Sequence, residues 1–321
     1  MKQKQKKEVH FQLSRYAIYL VMAALILIFS IVADGFFSAT TFFNILRQVA
    51  VNGIAAVGMT MVILTGGIDI SVGSVIGASS VACAIMMTSL KLNPVISILL
   101  TLLFGLAIGI CNAFFIYEVK IPPMIATLAS MSILRGAAYI LSNGLPVYNI
   151  PKNFTVLGQG YLGVIPVPVI IMVICFIIGY FLLEHTSFGR YVYGIGSNQE
   201  ASRLSGVNVR KIMYCVYGLS GVLASLAGIV YLSRVNSGQP KGGEGYEMDI
   251  ITAVVLGGVS TTGGEGKITR VIAGLVIMGV LMTGMTMINI PDYYQRVVKG
   301  IVLIAAISYD IISRRRIAEK A

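Results

Sequence analysis

The chain has 321 residues, of which 56% are hydrophobic and only 12% charged, about half the charged fraction of a soluble domain. That excess of apolar surface excludes a water-soluble fold and makes lipid the solvent. A net charge of +11 would suit a nucleic-acid partner, but the basic residues gather at the ends of apolar runs, the bias of a membrane protein.

The first element is the apolar run 16–33, preceded by a basic segment, 1–15, that holds Lys2, Lys4, Lys6, Lys7 and Arg15. Its core is too long for a cleavable leader and no clear small-residue cleavage site follows, so it reads as an uncleaved first span with a cytoplasmic start. A membrane helix needs about 20 mostly apolar residues. Nine further spans follow on that measure: 48–65, 70–90, 94–117, 122–141, 164–183, 212–233, 249–263, 268–290 and 293–312. The eighth is short, and the tenth carries Arg296, Lys299 and Asp310. The expected fold is an all-α polytopic membrane protein of about ten transmembrane helices, residues 16–312, with a basic cytoplasmic tail at 313–321.

Charge sets the orientation. With the N-terminus inside, 16 of the 24 basic residues fall on the cytoplasmic side, seven outside, and Arg135 within a span. Both termini are then cytoplasmic, as an even number of spans requires.

Polar residues inside or between spans are the first site candidates. Asn52 and Asn112 could line a path for a hydroxylated solute, or hydrogen-bond between helices. Asp69, in Gly66-Gly67-Ile68-Asp69-Ile70-Ser71, is either a path contact or a cap for the free N–H groups that open the third span. Arg135 lies in the fifth span near Ser132 and Tyr139, and an intramembrane charge marks a functional candidate. Other carboxylates deep within spans are nearly absent, which counts against ion coupling. Two external loops, 142–163 and 234–248, are long and rich in Gly, Pro and polar residues, suited to docking an external partner or to plain connection.

The glycines in Gly105-x-x-x-Gly109, Gly73-x-x-x-Gly77 and the Gly218, Gly221, Ala224, Gly228 series predict closely approaching helices. The four cysteines, Cys83, Cys111, Cys175 and Cys215, all lie in apolar runs without metal or redox spacing and read as small buried hydrophobes. The two histidines, His10 and His185, are too far apart in sequence to suggest a zinc site.

The longest polar break inside the membrane region is 184–211. It predicts a short helix outside the lipid, with Glu200, Ala201, Arg203 and Leu204 on successive turns and Gly206 as its stop. A membrane protein without a nucleotide site needs such a surface if a soluble motor is to push on it. The nearest thing to a nucleotide site is TTGGEGKIT at 261–269. It lacks the first glycine and the metal-binding hydroxyl of the phosphate loop, and joins two spans instead of a strand and a helix. The segments VILTGGIDISVGSVIGA, from Val62, and VVLGGVSTTGGEGKITRVIAG, from Val254, echo one another faintly, as in transporters with internal repeats.

Several stretches together carry a family resemblance: NILRQVAVNGIAAVGMTMVILTGGIDISVGS from Asn44, IATLASMSILRG from Ile125, TSFGRYVYGIGSNQEASRLSGVNVRKI from Thr186, the Gly-rich run from Tyr217 to Ile268, and YYQRVVKG from Tyr293. From about Asn44 to the C-terminus the chain resembles the permease subunits of bacterial sugar ABC importers. The resemblance implies residence in the bacterial cytoplasmic membrane and a path for a monosaccharide, ribose being favoured, with xylose, galactose or autoinducer-2 as alternative cargoes. It also implies a second permease chain, usually identical, and an extracytoplasmic sugar-binding protein. A cytoplasmic ABC ATPase would bind the ATP and magnesium, so this chain itself would hold no cofactor and would not be an enzyme. By the same resemblance the segment around Ser197–Asn208 is a coupling helix seated on the ATPase, with Glu200, Ala201 and Gly206 at signature positions. An ion-coupled secondary carrier and a membrane scaffold are the competing classes.

Overall fold

The computed structural model describes residues 18–318. The basic segment 1–15, the start of the first span and the last three residues lie outside the described residues. Fourteen helices and hairpin strands beyond the first helix follow in order: α1 Ile18–Val32, then α2 Ala39–Leu64, α3 Val72–Thr88, α4 Pro94–Tyr117, α5 Pro123–Leu141, α6 Val156–Gln159, the hairpin β1 Tyr161–Leu162 and β2 Ile165–Pro166, α7 Val167–His185, α8 Ser187–Ser197, α9 Gln199–Leu204, α10 Val209–Val235, α11 Tyr246–Leu256, α12 Ile268–Met287 and α13 Asp292–Ala318.

Among the described residues six helices are long and apolar enough to cross a membrane: α2, α4, α5, α7, α10 and α12. Two shorter apolar helices, α1 and α3, accompany them. The expected second span starts nine residues too late: α2 begins at Ala39, where Ser38 accepts the N–H of Thr41 at 3.2 Å. It therefore carries Asn44 and Arg47 on its first turns, where the sequence reading had a loop.

Helix α10 is the hub, packed on α4, α2 and α3. Most of α2 is buried, whereas α4 and α5 leave most of their surface outward, as lipid-facing helices do. The α4–α10 crossing depends on absent side chains. A Cβ on Gly221 would overlap the Gly105 carbonyl, and one on Gly109 would overlap Tyr217 and Gly218. Such close approach substitutes for the hydrophobic drive that lipid removes. Gly221→Val should force the pair apart and cost about 1–3 kcal/mol, read as a lower melting temperature in detergent. An unchanged melting curve would show that the crossing yields freely.

The expected eighth span, 249–263, is corrected. Helix α11 has 11 residues, about 16 Å at 1.5 Å each, too short to cross alone. The chain before it makes up the depth. After Asn236 ends α10 in a left-handed turn (φ 57°), Gly238 lies against Ser80 and Ala84, Gly242 against Gly77, and Gly243 against Gly73. Segment 236–245 thus descends along the glycine face of α3 as a series of turns, and α11 continues from it until Gly257 meets the start of α12. Irregular backbone at membrane depth is tolerated where protein covers it. The loop 234–248 is largely this descending segment and not a free external surface. Loop 142–163 is joined to the start of that segment by paired bonds of 2.8 Å between Val147 and Gly238.

Two cysteines also depart from expectation. Cys83 and Cys175 are buried, but Cys111 and Cys215 are exposed on outward helix faces.

Candidate functional site

The polar break 184–211 folds as two helices, not one. Thr186 caps α8, accepting the N–H of Gly189 at 3.4 Å, and α8 buries Gly189, Val192 and Ile195 against the bundle. Its end is clamped. The Tyr193 hydroxyl donates to the Gly266 carbonyl at 2.9 Å. Gly196 lies so close to Leu64 and Gly264 that a side chain would collide with both backbones, and Gly264 donates its own N–H to Leu64 at 2.9 Å. The turns that close α2 and precede α12, the two halves of the faint sequence echo, therefore touch each other under α8.

Beyond it α9 stands free. Asn198 turns extended (φ −160°) and caps α9 by accepting the Ala201 N–H at 2.9 Å. No residue of α9 is buried. Arg203 holds Glu200 with both ends of its fork, at 2.6 and 3.1 Å, and this hydrogen bonding keeps the Glu200 carboxyl below its ordinary pKa. The pair stays ionised throughout the neutral range. Leu204 is 77% exposed, and Gly206, at φ 85°, adopts a left-handed turn that a side chain would disfavour, bringing the chain into α10. Residues Glu200, Ala201, Arg203, Leu204 and Gly206 thus form one small polar knob with an apolar tip, rigidly based and open to a partner.

The four candidate path residues fall in three places. Asp69 and Asn112 share one closed network, 2% and 1% exposed. One Asp69 oxygen accepts the Ser71 N–H at 3.0 Å and its hydroxyl at 2.5 Å, and the other accepts the Ser220 hydroxyl at 3.1 Å. Asn112 donates to the Ser71 hydroxyl at 3.1 Å and accepts from Ser130. Asp69 is not the N-cap of α3, which is Ser71. It ties the α2–α3 turn to α10 and, through Ser71 and Asn112, to α4 and α5.

Arg135 reaches across α3 and donates to the Gly242 carbonyl at 3.1 Å, so it holds the descending segment. Hydrogen bonds from charged groups contribute about 1.5–3 kcal/mol. Arg135→Ala should therefore lower uptake or assembled yield several-fold, with Arg135→Lys keeping part of both. Normal uptake and yield in the Ala variant would make the charge incidental.

Asn52 borders a narrow cavity between α2, α11 and α12, together with Gln48 and Asp249. Asp249 is 6% exposed, and one of its oxygens accepts from Lys299 of α13 at 2.8 Å. Sequence reasoning missed Gln48, Asp249 and Lys299. It also undercounted buried carboxylates, since Asp69, Glu247 and Asp249 are all enclosed, which removes their absence as an argument against ion coupling. Gln48 also borders a wider, open cavity of about 550 Å3 between the N-terminal part of α2 and the C-terminal ends of α10 and α12, lined by Arg47, Gln159, Arg234, Thr283 and Thr286 among others. Among the described residues no cluster suits a metal ion.

The family described as "Branched-chain amino acid transport system / permease component" matches residues 41–307. The chain is 42% identical to the ribose import permease protein of Bacillus subtilis (strain 168), over 96% of this chain and 97% of that one. It is 32% identical to the xylose transport system permease protein of Haemophilus influenzae over 97% and 99%, and 38% identical to the L-arabinose transport system permease protein of Escherichia coli (strain K12) over 92% and 90%. No solved structure matches.

Proposed function

The chain belongs to this family of transport-system permease components, as a multi-pass protein of the bacterial cytoplasmic membrane, and from that premise we propose that it is the translocation subunit of an ATP-binding-cassette importer for a monosaccharide, ribose in the first place. The relatives of highest identity reported above carry pentose names, which favours a sugar over an amino acid as cargo.

In this reading the chain hydrolyses nothing. A cytoplasmic ATPase holds ATP and magnesium, a second copy of this chain completes the path, and an extracytoplasmic binding protein delivers sugar to the outer rim around 142–163. Ten crossings, with both termini cytoplasmic, are retained: the six long helices, α1, α3, α13, and a composite eighth made of the descending segment and α11. Segment 1–15 and the tail 313–321 are cytoplasmic, residues 16–312 form the permease domain, and 184–211 is its coupling loop. Asn52 and Arg135 border the path, while Asp69 and Asn112 brace the helices behind it.

The observation that carries the motor contact is the knob at α9. All its residues are uncovered, yet its base, α8, bears on Leu64 and Gly264. A push on α9 is thereby delivered to the turns that end α2 and begin α12, the two helices that border both cavities. The test is reconstitution in proteoliposomes with the cognate ATPase and loaded binding protein. Sugar-dependent ATP hydrolysis with uptake supports the importer. Uptake driven by an ion gradient without ATPase would replace it with a secondary carrier.

A further inference from the structure

Two acceptor oxygens, Oδ1 of Asn52 and Oδ1 of Asp249, are buried without a hydrogen-bond partner, and their side chains border the same cavity. That cavity measures about 20 Å3, room for one water-sized group. Buried acceptors without donors are unfavourable and favour the arrival of a donor. Gln48 belongs to this cavity and to the wider outer one, so a polar line runs from the outer vestibule to Asp249.

We propose that the vestibule and the Gln48–Asn52–Asp249 seam form a transit site for a neutral polyhydroxylated solute, the vestibule holding the solute and the seam admitting its hydroxyl groups one at a time. The inference rests on the importer reading and deepens it. Four observations converge. The vestibule has a volume typical of small-ligand sites. Arg47 and Arg234 line the vestibule and the Asp249 carboxylate lines the seam, so a cation is opposed in the first and an anion in the second. Lys299 takes one oxygen of Asp249 and leaves the other for a hydroxyl. Leu275, Met278 and Met282 supply the opposite wall, apolar enough for the C–H face of a sugar and, in methionine, adaptable. The seam also lies at the start of the half-helix α11, the kind of break in a membrane span that lines transport sites.

The experiment uses the complete complex in proteoliposomes and reads solute moved per ATP hydrolysed. Asn52→Leu and Gln48→Leu each remove a polar contact without touching the ion pair, and Asp249→Asn with Lys299→Met replaces the charged acceptor with a neutral amide while keeping charge balanced. Each is expected to lower the ratio about tenfold, and the wild type is expected to reject the phosphorylated form of the transported sugar. In a second measurement, Asn52→Cys in a chain lacking its native cysteines is expected to react with a charged thiol reagent from outside, and sugar-loaded binding protein is expected to slow that reaction. Wild-type ratios in all three variants, or an Asn52→Cys thiol that never reacts from outside, overturn the transit site alone. No ATP-driven uptake by the wild type, with an active ATPase, overturns the importer reading and the site with it.

Discussion

Glu200→Arg should reduce uptake by on the order of a hundredfold, the scale expected when like charges are juxtaposed at an interface, while yield and melting temperature stay at wild-type values. The separation follows from the geometry. Glu200 and Arg203 are 65% and 62% exposed, and exposed pairs contribute little to folding. No residue of α9 supports the core, so reversing the charge leaves the bundle intact and alters only what α9 offers a partner. Two cations would then stand one turn apart on a helix six residues long. On the proposed importer reading, binding to an ATPase would be weakened directly, and whatever binding remained would seat α9 in the wrong register. Glu200→Gln should fall between, because it loses the charge but keeps the shape. Measuring uptake and ATP hydrolysis together distinguishes uncoupling from loss of assembly. Full uptake by Glu200→Arg would remove α9 from the motor contact.

Part of this site is legible in sequence for a physical reason. A polar stretch of this length between apolar runs cannot remain in lipid, and Asn198, Glu200 and Gly206 carry helix start and stop signals that act locally. Helix α8 is not legible, because Gly189, Gly194 and Gly196 lower its propensity and its burial depends on Gly264 and Gly266, about 70 residues away. The same limit governs the eighth crossing. Segment 236–245 has the composition of a surface loop, and only its fit against Gly73 and Gly77 carries it inward. Asn52 is visible as a polar residue in an apolar run. Its partners are not, since the register of α11 against α2 and α13 arises from tertiary packing. The carboxylates Glu247 and Asp249 sit in the first turn of α11, where they complement the positive end of a half-helix, a role that exists only because the helix begins at depth.

The ion pair that results is the costliest to break. In Lys299→Met, Asp249 keeps its burial, with 7% of its side chain exposed, and loses its counter-charge. Removing one partner of a buried pair costs about 3–5 kcal/mol, and the fifth of the Lys299 side chain that remains exposed moves the expectation to the lower end. At about 2–4 °C per kcal/mol for larger domains, the melting temperature in detergent should fall by roughly 6–12 °C. The second bond between the same segments offers no rescue, because Arg296 and Glu244 are 3.6 Å apart and well exposed, at 63% and 40%. Asp249→Asn alone should also destabilise, leaving the ammonium unpaired but partly hydrated. The double variant should recover most of the loss, since replacing a buried pair with neutral residues is often without cost. Non-additivity is therefore the decisive quantity: a double variant that melts at the sum of the two single losses would mean that the two groups do not interact. If it instead recovers stability but still moves little sugar per ATP, the pair's contribution lies in transport, where a charged oxygen at the end of the seam has no neutral substitute.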